Sequence, residues 1–422
     1  MTERMSSAAT LAVRPALAHA ALDRLLAFGC VLLLFGDYLT LTLSRVTSGS
    51  AGNWLLFTAI LQLPLLGLAV LVGRLDRRAL TVPVLAMLGI GAVIAGHVAV
   101  SWLSGEELTD YAADKALNWF GVCLPALACG MAIGRLGLVE RPTALLWFAI
   151  PLWAMCAAAL AIDPVLLTVA HYADLAVFLG VFVLPAHQAL AFSLAKLGLC
   201  AFARADAVGG DRRRRLGWLV AAGLTFGLLL LTGARTYLLG AVAAFGLLSW
   251  FAGRRVGRAL LMVGVGVVLL IAFPSELIAE RIDPWRVAQS LSFTERTDLW
   301  GTALQAFGEY PLFGAGPGGF AAQLYWGGRA YPHNLLLEFL SELGLVGAGL
   351  FLATMFAVFA RIVRLARARC RPTPTQAFAM GFFVFAVVGG LAVGDWMRNS
   401  FLFLATGMCL SALPASARGV AR

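Results

Sequence analysis

Apolar runs of roughly 18–22 residues recur along almost the whole chain, separated by short loops in which the charges gather. The runs are continuous rather than alternating, which predicts membrane helices and disfavours a β-barrel. Read in order, they predict about twelve transmembrane spans, at about 21–43, 54–73, 80–104, 116–134, 142–162, 179–203, 216–232, 237–252, 258–273, 344–361, 376–394 and 399–415. The stretch from 216 to 252 is too long for one span and fits two short ones turning at Thr232–Thr236. One segment breaks the pattern. Residues 274–343, before the tenth span, form the one long polar interruption. Within it Ser292-Phe-Thr-Glu295 predicts a capping box opening a helix to about Phe307, ended by Gly308 and Pro311. Gly314–Phe320 predicts a tight loop, and Pro332 leads His333 and Asn334 into an amphipathic helix that stops at Gly344.

Composition narrows this to one fold class. At 61% hydrophobic and 13% charged residues, with a mean hydropathy of +0.87, the chain is an all-α integral membrane protein. It is a single polytopic domain, 1–422, with 274–343 as a partly helical insert. The net charge of +10 does not point to nucleic acid, because the arginines sit in short loops between spans. About 23 of the 32 basic residues fall on one side of the predicted membrane and 8 on the other, with Lys196 inside a span. The positive-inside rule therefore puts both termini in the cytoplasm and the insert outside, facing the periplasm. The first apolar run lacks a signal-peptide cleavage site and reads as a retained span. Every cysteine falls in a span or a cytoplasmic loop, so the outer face has no disulfide framework and no thiolate metal site. The glycine-rich spans predict close helix packing.

Three residues stand out as candidates for chemistry. Arg235 sits at the outer mouth of the predicted hairpin, against the charge rule; it either serves a ligand or snorkels to a lipid phosphate. Arg296 lies in the first turn of the insert helix, where its charge opposes the helix dipole. It suits a phosphate or pyrophosphate, or else pairs with Asp298 or Glu295. His333 follows a proline at a helix start, as a general base or as a cap. His97 and His187 fall in spans and read as packed, hydrogen-bonded residues; His171 is the second choice for a base. Lys196 is expected to snorkel towards the cytoplasmic end of its span. Asp395 and Arg398 face outward, within reach of the site or paired with each other. The GAGPGG run lacks the Lys-Ser/Thr of a P-loop, and either forms an anion nest or turns the chain. No motif calls for a metal.

Together these pieces resemble the O-antigen ligase and polymerase superfamily. The resemblance lies in an order of elements over roughly 120 residues: LTGARTYLLG at the outer mouth, Arg296 with Trp300, Pro311-Leu312-Phe313-Gly314-Ala315-Gly316, His333-Asn334, and Glu342-Leu343-Gly344. It implies an inverting, metal-independent glycosyltransferase of the bacterial inner membrane that needs no cofactor. The implied donor is undecaprenyl-diphosphate-linked O antigen and the implied acceptor lipid A-core, both met at the periplasmic face of the lipid bilayer. Arg235 and Arg296 take the role of pyrophosphate contacts and His333 that of the catalytic histidine. Asn334, Trp300, Asp298 and Arg398 are the expected substrate contacts. The chain ends about seven residues after the last predicted span, which favours a ligase over a protein-glycosylating relative. A polymerase of the same superfamily is the nearest alternative, and a twelve-span secondary transporter a more distant one.

Overall fold

The computed structural model describes residues 54–71, 82–105, 107–140, 142–162, 187–207, 211–251, 291–324, 330–368, 371–397 and 399–414, with helical residues between 22 and 33. Among the described residues every regular element is a helix. These are α1 (Trp54–Leu71), α2 (Val82–Ser104), α3 (Asp110–Leu136), α4 (Pro142–Ile162), α5 (His187–Ala207), α6 (Arg212–Leu231), α7 (Arg235–Phe251), α8 (Leu291–Glu309), the short α9 (Gly319–Ala322), α10 (Leu335–Arg367), α11 (Pro374–Val393) and α12 (Ser400–Ala412). Five of them, α2, α3, α6, α10 and α11, are long and apolar enough to cross a membrane. The protein is an all-α integral membrane protein. The expected span at 258–273 and the insert residues 274–290 lie outside the described residues.

Small residues set the closest contacts. A Cβ on Gly130 of α3 would stand 2.0 Å from the Leu404 carbonyl oxygen of α12, and one on Gly407 would stand 2.0 Å from that of Leu127. Only glycine lets these two backbones touch, which is the use the glycine-rich spans predict. The hairpin between α6 and α7 turns at Thr232–Ala234 with Gly233 at φ 64°, inside the expected turn. The α7 helix then runs antiparallel to α11, since Gly240 lies on Phe385, Gly381 on Leu248 and Gly389 beside Tyr237.

Two expectations need correction. The fourth span does not begin at about 116. Thr109 caps α3 by accepting the Ala112 N–H on its hydroxyl, so the helix starts at Asp110 and draws Lys115 into the bundle, where it has no exposure. Lys196 does not snorkel. It is 1% exposed, and its ammonium lies 4.4 Å from the Phe192 ring centroid, one turn back from the end it was expected to reach. An aromatic face gives that cation the stabilisation that water would otherwise supply.

Among the described residues, the arginine-bearing ends of α5 and α10 lie at one end of the bundle, with the end of α3 and the end of α12. There Arg204 donates to the Val139 carbonyl at 3.3 Å. Arg361 donates to the Leu410 and Leu413 carbonyls at the C-terminus of α12, where a cation meets the negative end of the helix dipole. At the opposite end lie the starts of α3 and α10, the α6–α7 turn and the α11–α12 turn.

Candidate functional site

The site is built on a broken helix. Gly344 interrupts α10 with φ 63° and ψ −163°, a conformation closed to other residues. The break leaves backbone groups unpaired inside the bundle, and the turn after α8 satisfies them. Leu345 and Val346 donate to the Pro311 and Leu312 carbonyls at 2.9 and 3.1 Å; Ala315 and Gly316 donate to Ser341 and Glu342 at 2.9 Å each. A Cβ on Gly344 would come within 2.4 Å of the Leu312 carbonyl carbon, and one on Gly314 within 2.2 Å of the Glu342 carbonyl carbon. His97 on α2 completes the joint by donating from Nε2 to the Phe313 carbonyl at 2.8 Å. That is the packed, hydrogen-bonded role expected of it. The turn thus lies beside α2 seven residues before the helix ends at Ser104, about 10 Å down its axis.

This joint carries His333. The helix α8 is continuous from Leu291 to Glu309, so Ser292 lies within it rather than at its cap, and Arg296 stands in the second turn. The Trp300 indole donates to the Pro332 carbonyl at 2.9 Å, tying α8 to the residue before His333. The Asn334 side-chain oxygen accepts the Leu336 and Leu337 N–H groups at 3.1 and 3.2 Å, which starts α10 immediately after the histidine. His333 itself is half-buried at φ 53°, the one non-glycine residue among those described with a left-handed backbone. It forms an isolated antiparallel bridge with Gly394, and its ring lies 4.3 Å from that of Tyr331. Such outliers cost of order 1–3 kcal/mol and recur at functional sites.

The other expected residues fall around this point to different degrees. Arg296 is half-buried one turn before Trp300, on the same face of α8. Among the described residues it makes no ion pair with Glu295 or Asp298. Asp298 is exposed, about 200° around α8 from Trp300. Arg235 opens α7 and is half-buried. The antiparallel register sets it level with the last turn of α11, the helix that leads into the Gly394 bridging His333. Arg398 and His171 lie outside the described residues. Asp395 accepts the Met397 N–H on its carboxylate at 3.0 Å, holding the α11–α12 turn.

Beneath His333 lies a charged cluster that the sequence reading missed. The Lys115 ammonium donates to both Glu342 oxygens at 2.7 Å and to Glu338 Oε1 at 2.5 Å, all three side chains being fully buried. The second Glu338 oxygen accepts the Trp396 N–H at 3.0 Å, and the Trp396 ring lies 4.5 Å from the ammonium. Glu342 also accepts the Gly318 N–H. The glycine loop therefore turns the chain, its Ala315 and Gly316 N–H groups going to backbone carbonyls of α10. Below the cluster Trp119 meets Phe339, Trp396 and Phe403 edge to face. The available signal was a Glu pair at i,i+4 on a helix entering the membrane, which demands a buried cation. Among the described residues no group of three His, Cys, Asp or Glu side chains is placed to hold a metal ion.

Residues 220–352 match the family model described as O-Antigen ligase. The matched stretch contains Arg235, Arg296, Trp300, His333, Glu338, Glu342 and Gly344. The match supports a member of the O-antigen ligase/polymerase superfamily and, at that level, a membrane-embedded enzyme of lipopolysaccharide biosynthesis. No curated protein matches the chain.

Proposed function

We propose that this protein is an O-antigen ligase, transferring glycan from undecaprenyl diphosphate to the lipid A-core oligosaccharide at the periplasmic face of the inner membrane. The observation that carries the reading is the Trp300 bond to the Pro332 carbonyl. It joins the helix bearing Arg296 to the residue before His333, so cation and imidazole belong to one unit. Here His333 accepts the proton of an acceptor hydroxyl as that oxygen attacks the anomeric carbon. The bond from anomeric carbon to diphosphate oxygen breaks, the electron pair leaves with the diphosphate, and the configuration inverts. Arg235 and Arg296 offset the negative charge growing on the departing group, which is already a good leaving group. Asn334, with its oxygen committed to the cap, supports this step by starting α10 where it does. Asp298 and Arg398 are the outer substrate contacts of the same reading.

The test is reconstitution of the purified protein with undecaprenyl-diphosphate glycan and rough lipopolysaccharide, with EDTA and without nucleotide. A lipopolysaccharide ladder is expected. The rate should fall on the order of 10²–10⁴ in His333→Ala and about 10²–10³ in Arg235→Ala or Arg296→Ala. Glycan that lengthens on the prenyl carrier alone would replace the ligase with a polymerase.

A further inference from the structure

A lysine and two glutamates sealed inside a membrane bundle are costly, and apolar side chains of the same volume would hold the helices together as well or better. The geometry of the Lys115 cluster indicates what the charges add. It ties together four separate pieces of chain. Lys115 comes from the second turn of α3; Gly318, whose Cβ would stand 3.2 Å from the Ala112 backbone, comes from the glycine loop. Glu338 and Glu342 come from the first two turns of α10, and Trp396 from the α11–α12 turn. His333 lies between two of these pieces. On one side the chain runs through the Asn334 cap to Glu338, whose own N–H donates to the Asn334 carbonyl at 2.9 Å. On the other side His333 pairs with Gly394, two residues before the Trp396 N–H that Glu338 accepts. Both backbone supports of His333 therefore converge on one carboxylate, and Lys115 orients that carboxylate.

We infer that Lys115, Glu338 and Glu342 are positioning residues that set where the His333 imidazole stands relative to Arg296. The inference rests on His333 being the base proposed above. Its two carboxylates need not accept a substrate proton, because their oxygens are taken up by Lys115, Trp396 and Gly318. A mere staple would differ in its consequences. Losing a staple lowers stability and nothing else, whereas losing a positioning device displaces one side chain in a folded protein.

Glu338→Gln separates the two, since it keeps the length and one acceptor oxygen while removing the charge. In the full-length protein in detergent, kcat should fall at least about tenfold with the donor KM within about threefold, because misplacement by a fraction of an ångström acts on the chemical step. Diethyl pyrocarbonate modification of His333, read by mass spectrometry, should change in rate by at least about threefold while that of His97 holds. The Lys115→Met variant should show the same pattern more strongly; if it fails to fold, Glu338→Gln decides alone. Wild-type kcat in Glu338→Gln overturns the inference. So does a kcat loss accompanied by a lower melting midpoint and an unchanged His333 rate, which is the staple. If the wild-type protein transfers no glycan, the proposed function falls, and the His333 modification rate still decides the positioning claim.

Discussion

His333 holds a backbone conformation that glycine adopts freely and asparagine tolerates, at φ 53°. Keeping an imidazole there is a cost that a capping role would not require, since Asn334 supplies the cap. His333→Gly is therefore expected to leave the stability unchanged or raised by about 1 kcal/mol at most, while transfer is lost. A midpoint lowered by more than about 5 °C would mean that the imidazole holds the fold, and would count against its role as base. At this scale the sequence carried a good deal. Trp300 and His333 drew attention as odd residues for their places, an indole one turn on from an arginine and a histidine after a proline; Arg296 drew it as a cation in a first turn, and the structure sets it in the second. Lys115 was not. Its partners lie more than 200 residues away, and periodicity along one strand of chain holds no information about them.

The element that decides the geometry is α10, and its break at Gly344 can be tested within the same helix. Gly344→Ala puts a Cβ within 2.4 Å of the Leu312 carbonyl carbon at a positive φ, so it should destabilise by several kcal/mol or prevent folding. Gly349 is five residues further on, and a Cβ there meets nothing within 4 Å. Gly349→Ala should be neutral, or stabilising by up to about 1 kcal/mol through helix propensity. Thermal unfolding of the two detergent-solubilised variants checks this, and equal midpoints would remove the joint between turn and helix. The glycine-proline turn and the stop at Gly344 were each readable as local signals. That they bond to each other was hidden, because a turn motif specifies its own dihedrals and not the backbone that will fill its donors. The hairpin between α6 and α7 was fully readable, since length alone divides an apolar run into two spans.

For the whole molecule, charge divides the two ends of the bundle. The arginines at the end of α5, the start of α6 and the end of α10 lie at one end, and Lys115, Arg235, Arg296 and His333 lie towards the other. This division was legible from the loops because topology is written in short, charged connections rather than in packing. The same rule predicts which end faces outward, and that orientation decides whether a lipid-linked diphosphate of the outer leaflet can reach the site. The six described cysteines are all buried, and with Cys370 replaced by serine an introduced thiol reports on its own position. Glu107, exposed in the loop before α3, and Arg213, exposed at the start of α6, mark the two ends. In intact spheroplasts a membrane-impermeant maleimide should label Glu107→Cys, and should label Arg213→Cys only after permeabilisation. The reverse pattern would put His333 on the cytoplasmic side. There nucleotide-sugar donors are at hand and an outer-leaflet acceptor is out of reach, so the transferase reading would fail whatever the geometry of Arg296 and His333.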